Sequence, residues 1–76
     1  MSDLSFRDCC NAIILATMDP KQVNQVTWAS GYARAGAIMT QPDEIKLQCL
    51  YILNNITHWR GPQAKEVRAR LKELSK

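Results

Sequence analysis

The sequence lacks the features that define several common classes of protein. None of its segments alternates apolar and polar residues with a period of two, so we expect no β-strands. No apolar run approaches the roughly 18 residues that a membrane span needs. The N-terminus, MSDLSFRD, carries acids where a secretion signal would be basic. We therefore expect one soluble domain, residues 1–76, with no membrane association.

Residues that carry enzyme chemistry are also scarce. His58 is the only histidine, and no cysteine or second histidine lies at zinc-ligand spacing. Asp43 and Glu44 are adjacent, so on a helix their carboxylates diverge and do not suit paired acid–base work. The sequence has no glycine-rich phosphate loop and no nucleophile elbow. These absences predict a protein that is not an enzyme, has no metal or cofactor and takes no small-molecule substrate.

The cysteines do not fit a secreted disulfide framework. There are three of them, and Cys9 and Cys10 are adjacent. A reduced, cytoplasmic protein fits this usage better. Cys10 and Cys49 fall on predicted apolar stripes, so we expect them to behave as small buried hydrophobes.

Apolar residues recur with the period of an α-helix and predict an all-α fold. The four predicted helices form a compact bundle and cover, approximately, residues 4–17, 20–39, 42–60 and 62–75. Ser5 is a candidate N-cap of the first helix, with Asp8 in the capping-box position. Whether the second helix is continuous through Gly31 stays open, because an internal glycine costs roughly 1 kcal/mol relative to alanine.

Capping residues mark the predicted ends of the later helices. Asp19 can cap the second helix with Pro20 at its first position, and Gln22 can reach back to that cap. Pro42 marks the start of the third helix, and Gly61 is predicted to end it in a left-handed C′ conformation.

The third helix is predicted to be central because it is apolar on two sides. One side forms a core stripe of Ile45, Cys49, Ile52, Leu53, Ile56 and Trp59. The other side belongs to a surface that we name the apolar-aromatic face. It comprises Trp28, Tyr32 and Met39 of the second helix with Leu47, Leu50 and Tyr51 of the third. Either the bundle encloses these residues, or they bind a protein partner or a second copy of the chain.

Positive charge provides an alternative site. Residues 1–39 hold three bases and three acids, whereas residues 40–76 hold seven bases and four acids. We name as the basic line a set of five residues on or just before the fourth helix: Arg60, Lys65, Arg68, Lys72 and Lys76. Such a line can follow a phosphate backbone, so nucleic-acid binding is the alternative function. A solvated helix surface without function is the other interpretation.

The C-terminal third, YILNNITHWRGPQAKEVRARLKEL, resembles small helical proteins encoded by bacteriophages and prophages. The resemblance is carried by the YILNN segment at residues 51–55, by Trp59-Arg60-Gly61 and by the stripe of Ala64 and Val67. It implies a bacterial cytoplasm and a small accessory or host-directed protein. Such proteins often bind a host protein or a nucleic acid, and the resemblance assigns no functional residues.

Overall fold

Four α-helices joined by short loops form the structure, a computed structural model that describes residues 4–76. They are α1 (Phe6–Ala16), α2 (Val23–Gly36), α3 (Pro42–Asn54) and α4 (Pro62–Leu74). Residues 4–76 contain no strand, which confirms the all-α prediction for that part of the chain. None of the helices in the same part has the length and apolarity needed to cross a bilayer.

Each helix packs mainly against two others. α1 contacts α2 and α4, and α3 also contacts α2 and α4, with the most extensive contact between α1 and α2. The bundle arrangement and the central position predicted for the third helix are not confirmed. Hydrogen bonds show the course of the chain, since Tyr32 late in α2 meets Gln48 whereas Gln25 early in α2 meets Arg60. The segment from α3 to residue 60 therefore runs antiparallel to α2.

The core takes side chains from every helix and from the loop before α4. Two predicted stripe residues, Ile45 and Leu53, are only partly buried and pack at its edge. Gly36 lets α1 and α2 approach closely, because a Cβ built there would lie 2.8 Å from Cζ of Phe6. The largest fully buried side chains are Trp59, Ile13, Ile52, Ile56, Leu71, Val26, Val67, Cys9, Cys10 and Cys49.

Helix α1 begins as predicted. The Ser5 hydroxyl accepts a hydrogen bond from the Asp8 backbone N–H at 3.0 Å, and the Asp8 carboxylate accepts one from the Ser5 N–H at 3.1 Å. These two reciprocal hydrogen bonds satisfy two of the N–H groups that the start of a helix otherwise leaves without an acceptor. The capping box and its residues are confirmed.

Helix α2 begins at Val23, three residues later than predicted, and ends at Gly36. The Asp19–Gln22 segment forms a turn, in which the Asp19 carbonyl accepts from the N–H groups of Gln22 and Val23 at 2.9 Å each. The Asp19 carboxylate caps this turn by accepting from the Lys21 N–H. The helix continues without a break through Gly31, which settles the question that the sequence left open.

Helix α3 ends at Asn54, so the prediction that it continues to residue 60 is wrong. The Asn55 side-chain amide donates to the Tyr51 carbonyl at 2.8 Å, which is the acceptor that the next helical N–H would use. The β-branched Ile56 follows and disfavours the helix further. Gly61 does have a positive φ of 110°, but it is the N-cap residue of α4 and not the C′ residue of α3.

Candidate functional site

The apolar-aromatic face is built where α2 and α3 meet. The rings of Tyr32 and Tyr51 stack across the two helices, with centroids 5.5 Å apart and an angle of 27° between their planes. Directly behind them, the side-chain amide of Gln48 donates to the Tyr32 carbonyl at 2.8 Å. Gln48 is buried, so this bond pairs a polar group in the core and holds the two helices in register.

Large apolar side chains surround the tyrosine pair and are open to water. Trp28 is 80% exposed, and Leu47 and Leu50 are about half exposed. The two tyrosines retain 40% and 41% of their exposure even though they stack. The interpretation that the fold encloses this face is therefore wrong. Met39 was predicted to lie on the second helix but follows the end of α2 at Gly36, and it is the predicted member that contributes least to the surface because it is partly buried.

The α2 side of the face carries no charge. From residue 22 to residue 33 the chain has no acidic or basic side chain, and the flanking charges are Lys21 and Arg34. Charges on α3 lie towards its start, at Asp43, Glu44 and Lys46. An uncharged centre with aromatic side chains and charges near the edge is a composition that is common in protein–protein interfaces.

The basic line is interrupted in its middle. Arg60, Lys65, Lys72 and Lys76 are exposed, as predicted. Arg68 is partly buried, and its Nη1 donates to the backbone carbonyls of Ile56 at 3.3 Å and Trp59 at 2.5 Å. The guanidinium therefore holds the loop between α3 and α4, a role that the sequence analysis did not identify.

Buried thiols do not form a reactive site. Cys9, Cys10 and Cys49 are free cysteines with no exposed surface. Burial raises the pKa of Cys10 to about 12 and the pKa of Cys9 and of Cys49 to about 11. No group of three histidine, cysteine or acidic side chains within residues 4–76 is placed to hold a metal ion. The thiols pack as small hydrophobes, which was expected for Cys10 and Cys49 but not for Cys9.

The cleft between α1 and α4 is small. It has a volume of about 190 Å³, and the exposed Leu15 lies at its side. Ligand pockets usually measure about 300–1,000 Å³. No buried side-chain nitrogen or oxygen of the described residues is unpaired, so none marks a missing ligand there. The full lining is Leu4, Asp8, Asn11, Ala12, Leu15, Gln63, Glu66 and Val67.

Because comparison with known proteins gives no match, the function of the chain is inferred from its own structure. No protein-family model, no curated protein sequence and no solved structure matches it.

Proposed function

We propose that this chain is a non-enzymatic interaction module that binds a protein through the apolar-aromatic face. The observation that supports the proposal is the exposed cluster around the stacked Tyr32–Tyr51 pair, in which Trp28 is 80% exposed. Covering apolar surface stabilises a complex by about 25 cal/mol per Å² before the costs of association are subtracted. Covering this face with a protein therefore gains more free energy than covering a polar surface of the same area.

The helices that carry the face are anchored in the core, which favours binding. Trp28 and Tyr32 are one helical turn apart on α2, and Leu47 and Tyr51 have the same spacing on α3. Both helices are anchored by buried residues, including Val26 on α2 and Ile52 on α3. Because the backbone of both helices is already ordered, binding does not have to order it, and tryptophan and tyrosine are the usual hot-spot residues.

The setting that we propose is a bacterial cytoplasm, with the chain encoded by a phage or prophage as an accessory or regulatory protein. The resemblance of the C-terminal third supports this setting, and the shared segment YILNN includes Tyr51 of the face. The partner is then a host protein or a second copy of the chain. No small-molecule substrate is part of the proposal.

Capture from a bacterial extract tests the proposal with one matched pair of variants. Trp28→Glu places a charge at the most exposed residue of the face, and Met18→Glu places one at a 72% exposed apolar residue of the loop between α1 and α2. With a tagged copy of the chain added to the extract, we expect the wild-type chain and Met18→Glu to retain the same protein, either that copy or a host protein, and Trp28→Glu to lose it with an unchanged helical circular dichroism spectrum. Equal retention by all three chains would reject the face as the binding site.

Nucleic-acid binding through the basic line is the second candidate. Arg60, Lys65, Lys72 and Lys76 favour it, because all four are exposed and none forms an ion pair with a residue of the described range. If about four phosphates are neutralised, log K for a random DNA duplex falls with log salt at a slope of roughly −3 to −4. No binding to the duplex at low salt would exclude this function.

A further inference from the structure

We propose that the protein bound to the apolar-aromatic face is a second copy of the same chain, so that two copies form a two-fold symmetric dimer. The inference rests on the proposed function and names its partner. A symmetric contact of this kind requires the face to be complementary to itself, because residue i of one copy meets residue j of the other and the reverse.

A projection and a hollow lie next to each other on α2. Trp28 projects from the helix, and Gly31 and Ala35 follow it at spacings of three and seven residues, on the same side. Apart from the backbone of α2 and the two neighbouring residues, no atom lies within 4 Å of the position that a Cβ of Gly31 would take, so the surface there is open. About the two-fold axis, Trp28 of each copy can cover the Gly31 and Ala35 surface of the other. The face therefore contains both the projecting side chain and the open surface that the same side chain of a second copy can cover.

The area of the face suits a dimer. Trp28 is 80% exposed, and the two tyrosines and two leucines are each 40–50% exposed. With roughly 150–250 Å² for a large side chain, these five residues offer about 500 Å². Stable interfaces bury about 600–1,000 Å² on each partner. The exposed and uncharged neighbours Asn24, Thr27, Gly31, Ala35 and Asn54 supply the remaining area.

Charge favours a copy of the chain over a different protein. In a two-fold contact, a charge near the axis faces its own image, and like charges in contact are strongly unfavourable. The stretch of α2 between Lys21 and Arg34 has no charge and meets this requirement. A different partner would impose no such requirement, since it could supply the opposite charge. The basic residues of α4 itself, Lys65, Arg68 and Lys72, belong to a helix that packs mainly against α1 and α3, whereas Arg60 lies beside α2, where its N–H donates to Gln25.

Sedimentation of the purified chain between about 1 µM and 1 mM measures the association. We expect a monomer–dimer equilibrium that Trp28→Glu weakens at least tenfold and Met18→Glu leaves unchanged. Gly31→Gln fills the hollow with a good helix-forming residue and leaves the Trp28 ring in place, so it should weaken the dimer equally. Ala69→Gln adds the same side chain at an exposed position of α4 and is its control. Circular dichroism verifies that each variant is folded.

Tryptophan fluorescence gives a second measurement of the same equilibrium. Trp59 is already fully buried, whereas Trp28 is open to water. Dimerisation should therefore shift the emission of the wild-type chain to shorter wavelength as concentration rises, and Trp28→Phe should abolish that shift.

Two outcomes would overturn the dimer. One is a monomer at every concentration, and the other is a dimer that persists in both Trp28→Glu and Gly31→Gln. The capture experiment then decides separately on the proposed function. A host protein lost only by Trp28→Glu would keep the interaction module and reject self-association, whereas failure of both experiments would reject the module as well.

Discussion

Trp59 donates its indole N–H to Oε1 of Gln22 at 2.8 Å, across 37 positions of sequence. Gln22 donates its own Nε2 to the Asp19 carboxylate at 2.7 Å, which leaves the amide oxygen facing the indole. Hydrogen bonds to the Asp19 carboxylate lower its pKa from the usual value. The bond from the Gln22 side chain contributes most, and the bond from the Lys21 backbone N–H comes next. Because the folded pKa is lowered, the Asp19 contribution to stability is complete at neutral pH and is lost as the pH falls through that lowered pKa.

Replacing Gln22 should destabilise the fold because Trp59 is completely buried. Gln22→Met preserves the length of the side chain but removes the acceptor, which leaves a buried indole N–H unpaired. We expect the free energy of unfolding in urea to fall by about 1–3 kcal/mol. Gln63→Met, at an exposed position of α4, is the control and should change it by less than about 0.5 kcal/mol. Equal stability of the two variants would show that the bond contributes nothing.

Arg68 should behave as a structural residue and not as a free base. Arg68→Met removes the charged donor to the carbonyls of Ile56 and Trp59, so we expect a loss of about 1.5–3 kcal/mol in urea unfolding. Lys65→Met, one turn earlier on α4 and exposed, should be within about 0.5 kcal/mol of the wild type. If both variants were equally stable, the Arg68 guanidinium would be available to a phosphate and the basic line would be continuous.

The same substitution at two leucines separates the core from the proposed binding face. Leu71 of α4 has no exposed surface, whereas Leu47 of α3 is 50% exposed. Leu71→Ala should lower the free energy of unfolding by about 2–5 kcal/mol, because it removes buried methyl groups and leaves a cavity. Leu47→Ala should cost less than about 1 kcal/mol in dilute solution, since water already reaches that side chain. Similar losses at both positions would contradict the docking of α4.

The helices could be predicted because they depend on residues close in sequence. The end of α3 was predicted wrongly because contacts between residues distant in sequence determine it. The capping box of Ser5 and Asp8 depends on residues three apart, so the sequence alone identifies it. The end of α3 was missed because Ile52, Ile56 and Trp59 are spaced as on one helix. Ile56 and Trp59 reach the core from a loop. The available local signal was Asn55, whose side-chain amide donates a hydrogen bond to the Tyr51 carbonyl.

The composition of the apolar-aromatic face could be predicted, but its exposure could not. Helical spacing places Trp28 with Tyr32 and Leu47 with Tyr51, whatever the tertiary packing. Whether water reaches them depends on where α1 and α4 pack, and the sequence does not specify the packing order of the helices. For the same reason, the sequence did not indicate the structural role of Arg68. Its hydrogen-bond acceptors are carbonyls 9 and 12 residues away, in a loop that was predicted to be helical.

The thiols should be inert in the folded protein. At pH 8 a cysteine with a pKa of about 11 is ionised in roughly one molecule in a thousand, and thiolate is the reactive form. Burial of Cys9, Cys10 and Cys49 also blocks the reagent. We expect almost no reaction with a disulfide reagent at pH 8 under native conditions and three equivalents in denaturant. Rapid modification of one thiol in the native state would show that the fold opens locally at that residue.

Two glycines of α2 should respond in opposite ways to alanine. A Cβ at Gly31 meets nothing within 4 Å, whereas a Cβ at Gly36 lies 2.8 Å from Cζ of Phe6 and 3.0 Å from Sγ of Cys10. Gly31→Ala should therefore raise the free energy of unfolding by about 0.5–1 kcal/mol through helix propensity alone. Gly36→Ala should lower it by about 1–3 kcal/mol, because α1 must move to admit the methyl group.

Urea unfolding of both variants at two protein concentrations is the measurement, since agreement between the two concentrations excludes any effect of association. A loss of stability in Gly31→Ala would mean that a neighbouring group packs against the helix at that point, and the hollow beside Trp28 would then already be filled. A gain in Gly36→Ala would mean that the Phe6 ring moves aside freely and that the closest approach of α1 and α2 lies elsewhere. Because both positions belong to one helix and receive the same methyl group, the difference between them measures the space around each.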